Sequence, residues 1–233
     1  TFLVFMEYAR NAVRLAALMR TPNIFVYTHD SVAVGEDGPT HQPIEQISNL
    51  RSTPNLFTWR PCDTVESAVA WKSAVSSRTS PTALIFTRQK TQAQPRDAQT
   101  FANVQRGGYT LLDCAGDPEA IIIATGSEVE IAVAAAHELA AEGALVRVVS
   151  MPCVELFSAQ DPDYQRQVLP TSVRARVAVE AGHPDLWYKF VGLDGAVVGI
   201  DRYGVSAPGE QAMEVCGITV DAVVAATKRV VAA

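Results

Sequence analysis

Residues 24–43 read IFVYTHDSVAVGEDGPTHQP, a short apolar run followed by a polar loop. Ile24-Phe25-Val26-Tyr27 are β-branched or aromatic throughout, the composition of a buried strand. Thr28 to Pro43 then gather His29 and His41, the acids Asp30, Glu36 and Asp37, and Gly35, Gly38, Pro39 and Pro43. A loop that leaves the carboxyl end of a strand and enters a helix is the usual ligand-facing position of an α/β sheet. Pro43 suits the first turn of that helix, and Ile44, Ile47 and Leu50 mark its inner face.

On either side of this stretch, helix and strand alternate. Tyr8 to Met19 reads as a helix rich in Ala and Arg, ended before Pro22. Leu56 to Trp59 is a strand candidate that stops at Pro61. Asp63 and Glu66 have capping-box spacing ahead of Val65, Ala68 and Val69, which predicts another helix, and Ala83 to Phe86 is the next strand. Residues 90–106, KTQAQPRDAQTFANVQR, are polar and aperiodic, as expected of a surface linker. Beyond them Tyr109–Leu112, Ala120–Ala124, Leu145–Ser150, Ala175–Glu180 and Ala196–Ile200 read as strands with helices between them, the last helix near Val220 to Val231. Ser127 and Glu130 predict a capping box for a helix that stops at Gly143. The Gly126-Ser127 turn at that helix start could receive a phosphate, but the box would already occupy its donors. The expected fold class is α/β, two three-layer αβα domains with largely parallel sheets, over residues 1–95 and 109–233 with a linker at 96–108.

Composition excludes several functions. The 233 residues are 48% hydrophobic and 19% charged, soluble globular material. The net charge of -6 comes from 25 acids against 19 bases scattered as singles, so no nucleic acid or anionic membrane partner is expected. No apolar run approaches a membrane span. Cys62, Cys114, Cys153 and Cys216 are widely spaced without a C-x-x-C pair, which predicts reduced thiols in a cytoplasmic protein rather than a zinc site or disulfide scaffold.

Within the loop, His29 and His41 can exchange protons with hydroxyls near neutral pH, and Asp37 can bind a hydroxyl. Asp30, Glu36, Asp37 and Glu45 are also candidate ligands for calcium or magnesium, but they lack EF-hand spacing, and the two histidines lack a nearby third ligand for zinc. Either histidine taken alone is more often structural than catalytic.

FLVFMEYARNAVRLAAL, VYTHDSVAVGEDGPTHQPIEQ, WRPCD and TALIFTRQ together resemble the pyrimidine-binding domain of transketolases, which use thiamine diphosphate. IIIATGSEVEIAV, VRVVSMP, VAVEAG and DRYGVSAP resemble the C-terminal domain of the same family. The related deoxyxylulose-phosphate synthases carry an Asp-Arg-Ala-Gly type sequence where this chain has Thr28-His29-Asp30-Ser31, so transketolase proper is the better match. The resemblance covers nearly the whole chain and implies transfer of a two-carbon ketol unit between sugar phosphates in the pentose phosphate pathway.

Roles follow from the same resemblance. Phe2, Phe5 and Tyr8 match the aromatic positions that hold the cofactor's aminopyrimidine ring; without the match they would read as a core-facing stripe. His41 matches a catalytic histidine near the donor's C1 hydroxyl, and Asp37 an acid at a substrate C2 hydroxyl. His29 and Arg88 match residues that bind the sugar's phosphate. His137 and His183 carry no expected role. The family's cofactor-activating glutamate lies upstream of Thr1, and the Gly-Asp-Gly segment that holds the diphosphate and a magnesium or calcium ion is not in this chain. The expectation is therefore the C-terminal portion of a longer, homodimeric enzyme, with its first domain incomplete at the N-terminus and inactive by itself. A non-catalytic interaction module and a dihydroxyacetone synthase remain open alternatives.

Overall fold

The computed structural model describes all residues, Thr1–Ala233. A 3-10 turn, Leu3–Ala9, leads into α1 (Arg10–Leu18) and then β1 (Ile24–Tyr27). After the long loop come α2 (Gln46–Arg51), β2 (Phe57–Trp59), α3 (Thr64–Ser76) and β3 (Thr82–Ile85). The three strands form one parallel sheet in the order β1-β3-β2. Every residue of the central strand β3 is buried, as a parallel strand covered on both faces requires. Its alternation sorts the core: Ala83 and Ile85 pack with Leu3, Met6, Val13, Ile47 and Leu50, while Leu84 packs with Trp59, Ala70 and Ala74 on the other face.

The second half runs α4 (Ala98–Asn103), β4 (Tyr109–Leu112), β5 (Ala120–Ala124), α5 (Glu128–Ala141), β6 (Val146–Ser150), α6 (Val154–Ser158), α7 (Pro162–Val168) and β7 (Arg176–Val179). It ends with α8 (Tyr188–Val191), β8 (Ala196–Val198), α9 (Gly209–Val215) and α10 (Val220–Val231). Its sheet has the order β4-β6-β5-β7-β8, parallel except for the edge strand β4, which is antiparallel to β6. Ala120, Ile122 and Ala124 face α5 and α10; Ile121 and Ile123 face α6, α7 and α8. The chain is thus α/β with two αβα layers, as its alternating pattern implies.

Three local expectations fail, each because a tertiary contact outcompetes a local one. Ser127 does not form a capping box with Glu130: its φ and ψ are helical, and its Oγ bonds the Glu128 carboxylate at 2.7 Å. Glu128 is drawn inward to Arg60, whose guanidinium fills the Gly126 turn so closely that a Cβ there would lie 2.7 Å from Arg60 Cζ. Pro43 lies ahead of α2, not in its first turn, because Gln46 Oε1 takes the Ile44 N–H (3.0 Å) and the His183 N–H takes the Ile44 carbonyl (3.0 Å). Finally, residues 90–106 are not a plain surface linker. They contain α4, capped by Asp97, and the Arg96 side chain is turned inward, donating to Asp63 at 2.6 Å and to the Tyr109 hydroxyl at 2.9 Å.

The two sheets are joined through polar groups as well as apolar ones. Glu66 accepts the Cys62 N–H (2.7 Å), the Tyr109 hydroxyl (2.7 Å) and the Ser150 hydroxyl (2.5 Å), and burial together with Glu66 pushes both the Cys62 thiol and the Tyr109 phenol well up. All four cysteines are unpaired, and Cys62, Cys153 and Cys216 are buried. The Arg60 backbone bonds Pro152 and Gly126, and its side chain meets Asp30 at 2.7 Å, Glu128, and Glu180 at 3.6 Å. Arg60→Met removes the only guanidinium that contacts Asp30 and Glu128 and leaves two buried carboxylates uncompensated. Urea denaturation of the variant is expected to show a loss of about 3–5 kcal/mol. A loss below about 1 kcal/mol would mean that the cluster is not holding the two sheets together.

Candidate active site

The Thr28–Pro43 loop leaves the carboxyl end of β1, and Phe86, Thr87 and Arg88 leave the carboxyl end of β3. Because Tyr27 pairs with Ile85 in parallel register, both segments emerge on the same sheet edge. The first residues of the chain close over that edge. Phe2 forms a parallel bridge with Thr28, the Leu3 N–H bonds the Thr28 carbonyl at 2.8 Å, and the Thr28 N–H bonds the Thr1 carbonyl at 3.0 Å. This backbone pairing sets the Phe2 ring flat against the His29 imidazole, with centroids 3.6 Å apart.

The aromatic row continues from there. Phe2 and Phe5 are stacked at 5.9 Å, and Phe5 and Tyr8 lie 6.1 Å apart. The 3-10 turn explains the alignment, since residues three apart eclipse each other at three residues per turn. His41 meets Phe5 edge-on at 5.2 Å and Phe2 at 6.2 Å. Phe2, Phe5, His29 and His41 are therefore one cluster, and Tyr8, 90% exposed, extends its row into solvent. Asp37 and Arg88 are exposed and make no hydrogen bond to the cluster, but both act on the charge of His29.

Each imidazole is held in the same way. His29 Nδ1 lies 2.9 Å from the Thr28 hydroxyl, and His41 Nδ1 lies 2.9 Å from the Thr40 hydroxyl. Both Nε2 atoms are left for a ligand. His29 also has φ of +60°, rare for a residue with a side chain. The next residue, Asp30, is anchored to Arg60 with only 1% exposure and holds this turn in place.

Sequence reasoning missed Arg60, Glu128, Glu180 and Gln42, which support the loop from behind. Asp30, weighed there as a metal ligand, is instead an ion-pair partner. No group of three or more His, Cys, Asp or Glu side chains is arranged so that it could hold a metal ion. A groove of about 650 Å³ lies elsewhere, between α4, β4 and α7. Its Arg147 is committed to Asp113 at 2.9 Å and to the carbonyls of Gln167 and Val168, so the groove presents no unengaged charge of that residue to a ligand. His137 is exposed on α5, and His183 lies 3.7 Å from Asp185; neither approaches the aromatic cluster through any contact.

Comparison with known proteins adds the following. Residues 1–94 match the family model of the transketolase pyrimidine binding domain, and residues 107–219 match that of the transketolase-like C-terminal domain. The chain is similar to Transketolase 2 of Vibrio parahaemolyticus, 60% identical over 232 residues, which are 100% of this chain and 35% of that protein. It is 61% identical over 228 residues to Transketolase 1 of Escherichia coli K12, covering 98% of this chain and 34% of that protein. The solved structure of transketolase from Leishmania mexicana superposes with a TM-score of 0.94 at 45% identity, covering 100% of this chain and 33% of that one. The chain thus spans about a third of the length of the curated relatives it matches.

Burial and the nearby Arg88 guanidinium lower the His29 pKa below 6.5, outweighing the opposing pull of Asp37 and Asp30. A lowered imidazole pKa favours the neutral ring in the fold. This contribution to stability is complete above about pH 6.5, the unfolded value, and is lost as pH falls through the folded one. An NMR titration is expected to place the His29 midpoint below 6.5, and Arg88→Ala should move it upward. A midpoint unchanged by that substitution would separate Arg88 from His29.

Proposed function

The chain belongs to the transketolase family, and on that premise we propose that the full-length protein transfers a two-carbon ketol unit from a ketose phosphate to an aldose phosphate. The reading includes thiamine diphosphate and a divalent cation, magnesium or calcium, as cofactors, a homodimeric assembly and a place in the pentose phosphate pathway. The observation that supports it most is the cluster of Phe2, Phe5, His29 and His41 on the carboxyl edge of the first sheet, flanked by Asp37 and Arg88.

The residues present suit such a cofactor. Phe2, Phe5 and the exposed Tyr8 form an aromatic row for a flat heterocycle, and aromatic pairs gain from offset or edge-on stacking. Bound there, thiamine diphosphate would supply the electron sink for the two-carbon unit. The diphosphate and the cation belong, in this reading, to the remainder of the protein.

The chain's own residues would then act on the sugar. His41 is the catalytic residue: with Nδ1 engaged by Thr40, its Nε2 meets the donor's C1 hydroxyl and can hold or release that proton. Asp37 accepts a hydrogen bond from a C2 hydroxyl. Arg88 supplies the charge that a phosphate requires, in the planar fork suited to two of its oxygens. His29, kept neutral beside Arg88, donates or accepts a hydrogen bond without adding a second charge.

Assay of the full-length protein with xylulose 5-phosphate and ribose 5-phosphate tests the reading. Preference for formaldehyde as acceptor would move it to the dihydroxyacetone synthases, and no transfer at all would leave a non-catalytic module. Arg88→Ala is expected to weaken phosphorylated acceptors by about 1.5–3 kcal/mol relative to unphosphorylated ones. Equal loss on both would remove the phosphate role. His41→Ala should lower turnover with little change in cofactor affinity; an unaltered rate would make His41 structural.

A further inference from the structure

One buried carboxamide ties the substrate loop to the domain behind it. Gln42, 2% exposed, directs its side-chain nitrogen at the carbonyls of Val32 (2.9 Å), Gly35 (3.1 Å) and Val205 (2.9 Å). Three acceptors surround that position, so only the NH2 end of the amide can occupy it. Val205 lies between β8 and α9, on the second sheet's side of the molecule. From the same segment, Ser206 Oγ donates to the Glu36 carbonyl at 2.5 Å.

The approach is too close for side chains on the facing glycines. A Cβ on Gly204 would lie 2.0 Å from Gln42 Oε1, and one on Gly209 would lie 2.7 Å from the Ala33 carbonyl oxygen. The loop itself has left-handed hinges at Gly35 (φ +96°) and Gly38 (φ +73°), which bracket Glu36 and Asp37. A turn closed by the Gly38 N–H on the Gly35 carbonyl (3.0 Å) carries the exposed Asp37, and the Glu36–Asp37 peptide within it is set by what it bonds to. The Glu36 carbonyl that Ser206 grips belongs to the peptide that carries the Asp37 N–H. Gln42, in turn, directly follows His41.

We propose that the 202–209 segment of the C-terminal domain is a specificity clamp. Gln42 and Ser206 are its positioning residues, setting the angle at which Asp37 and His41 meet the sugar. The C-terminal domain thereby governs discrimination between aldehydes that carry a hydroxyl beside the carbonyl and those that lack it, by holding the loop that carries Asp37 and His41. The specificity part rests on the ketol-transfer reading above; the mechanical part rests on the contacts alone.

The test uses the full-length protein and compares kcat/KM for glycolaldehyde and acetaldehyde as acceptors, alongside hydrogen exchange of peptides spanning residues 35–41. Ser206→Ala is expected to reduce the glycolaldehyde preference roughly three- to ten-fold, the span of one hydrogen bond, and to speed exchange across 35–41 while α5 and α10 stay protected. Gln42→Ala should do both more strongly; because it can also impair folding, Ser206→Ala is the deciding variant. Asp37→Ala serves as reference for complete loss of the preference. Equal loss on both aldehydes with unchanged exchange would overturn the clamp. If the unsubstituted protein transfers no ketol unit, the functional reading falls and exchange alone decides: faster exchange at 35–41 sustains the clamp, unchanged exchange ends it.

Discussion

Arg60 has no solvent exposure, and the start of the loop that carries the candidate site depends on what its guanidinium touches. It meets Asp30 in the loop after β1, Glu128 at the start of α5, and Glu180 after β7. Burial by itself would lower an arginine's pKa, but the carboxylates of Glu128, Asp30 and Glu180 outweigh it and hold the cation firmly charged. Glu180 is shared with Arg51 at 2.7 Å and with the Trp187 N–H at 2.7 Å. Three buried carboxylates, Asp30, Glu128 and Glu180, thus face two guanidiniums, Arg60 and Arg51. Glu180, between two cations, is held below the usual range despite its burial; Glu128, with Arg60 as its only cation, is pushed above it by burial.

A buried charge cluster is a weak source of net stability, yet it is demanding about geometry. That demand is transmitted to the site through one peptide bond, since Asp30 follows His29. Fixing Asp30 fixes a histidine with positive φ, and the same histidine lies flat against Phe2. The backbone pairing of Phe2 with Thr28 then sets the rest of the aromatic row. Further along the loop, Gln42 bonds the Val205 carbonyl and Ser206 bonds the Glu36 carbonyl. A loop with two left-handed glycines is in this way gripped at its start, middle and end by groups distant in sequence.

Much of the fold was legible in the residues. The strands at Ile24–Tyr27 and Ala120–Ala124 are apolar runs of the right length, and Asp63 caps α3 through the Glu66 N–H as its spacing implied. The histidines of the loop were legible as candidates because they follow a strand. Ser127 misled because a capping box is judged on neighbours in sequence, while Glu128 answered to Arg60 across the domain interface. Residues 90–106 misled because composition averages over a segment, and a single buried Arg96 side chain was enough to dock it.

The α/β alternation, the family resemblance and the identity of the side chains offered to a ligand are all legible in residue order alone. These depend on periodicity and on residue type, both of which are local. Which of those side chains meet depends on the packed domains: Phe2 stacks on His29, Asp30 turns inward to Arg60, and Ser206 grips the loop beside Asp37. A charge or a carboxamide removed from water takes whichever partner the packed domains bring to it, and for Gln42 that partner, the Val205 carbonyl, lies more than a hundred residues away in the chain.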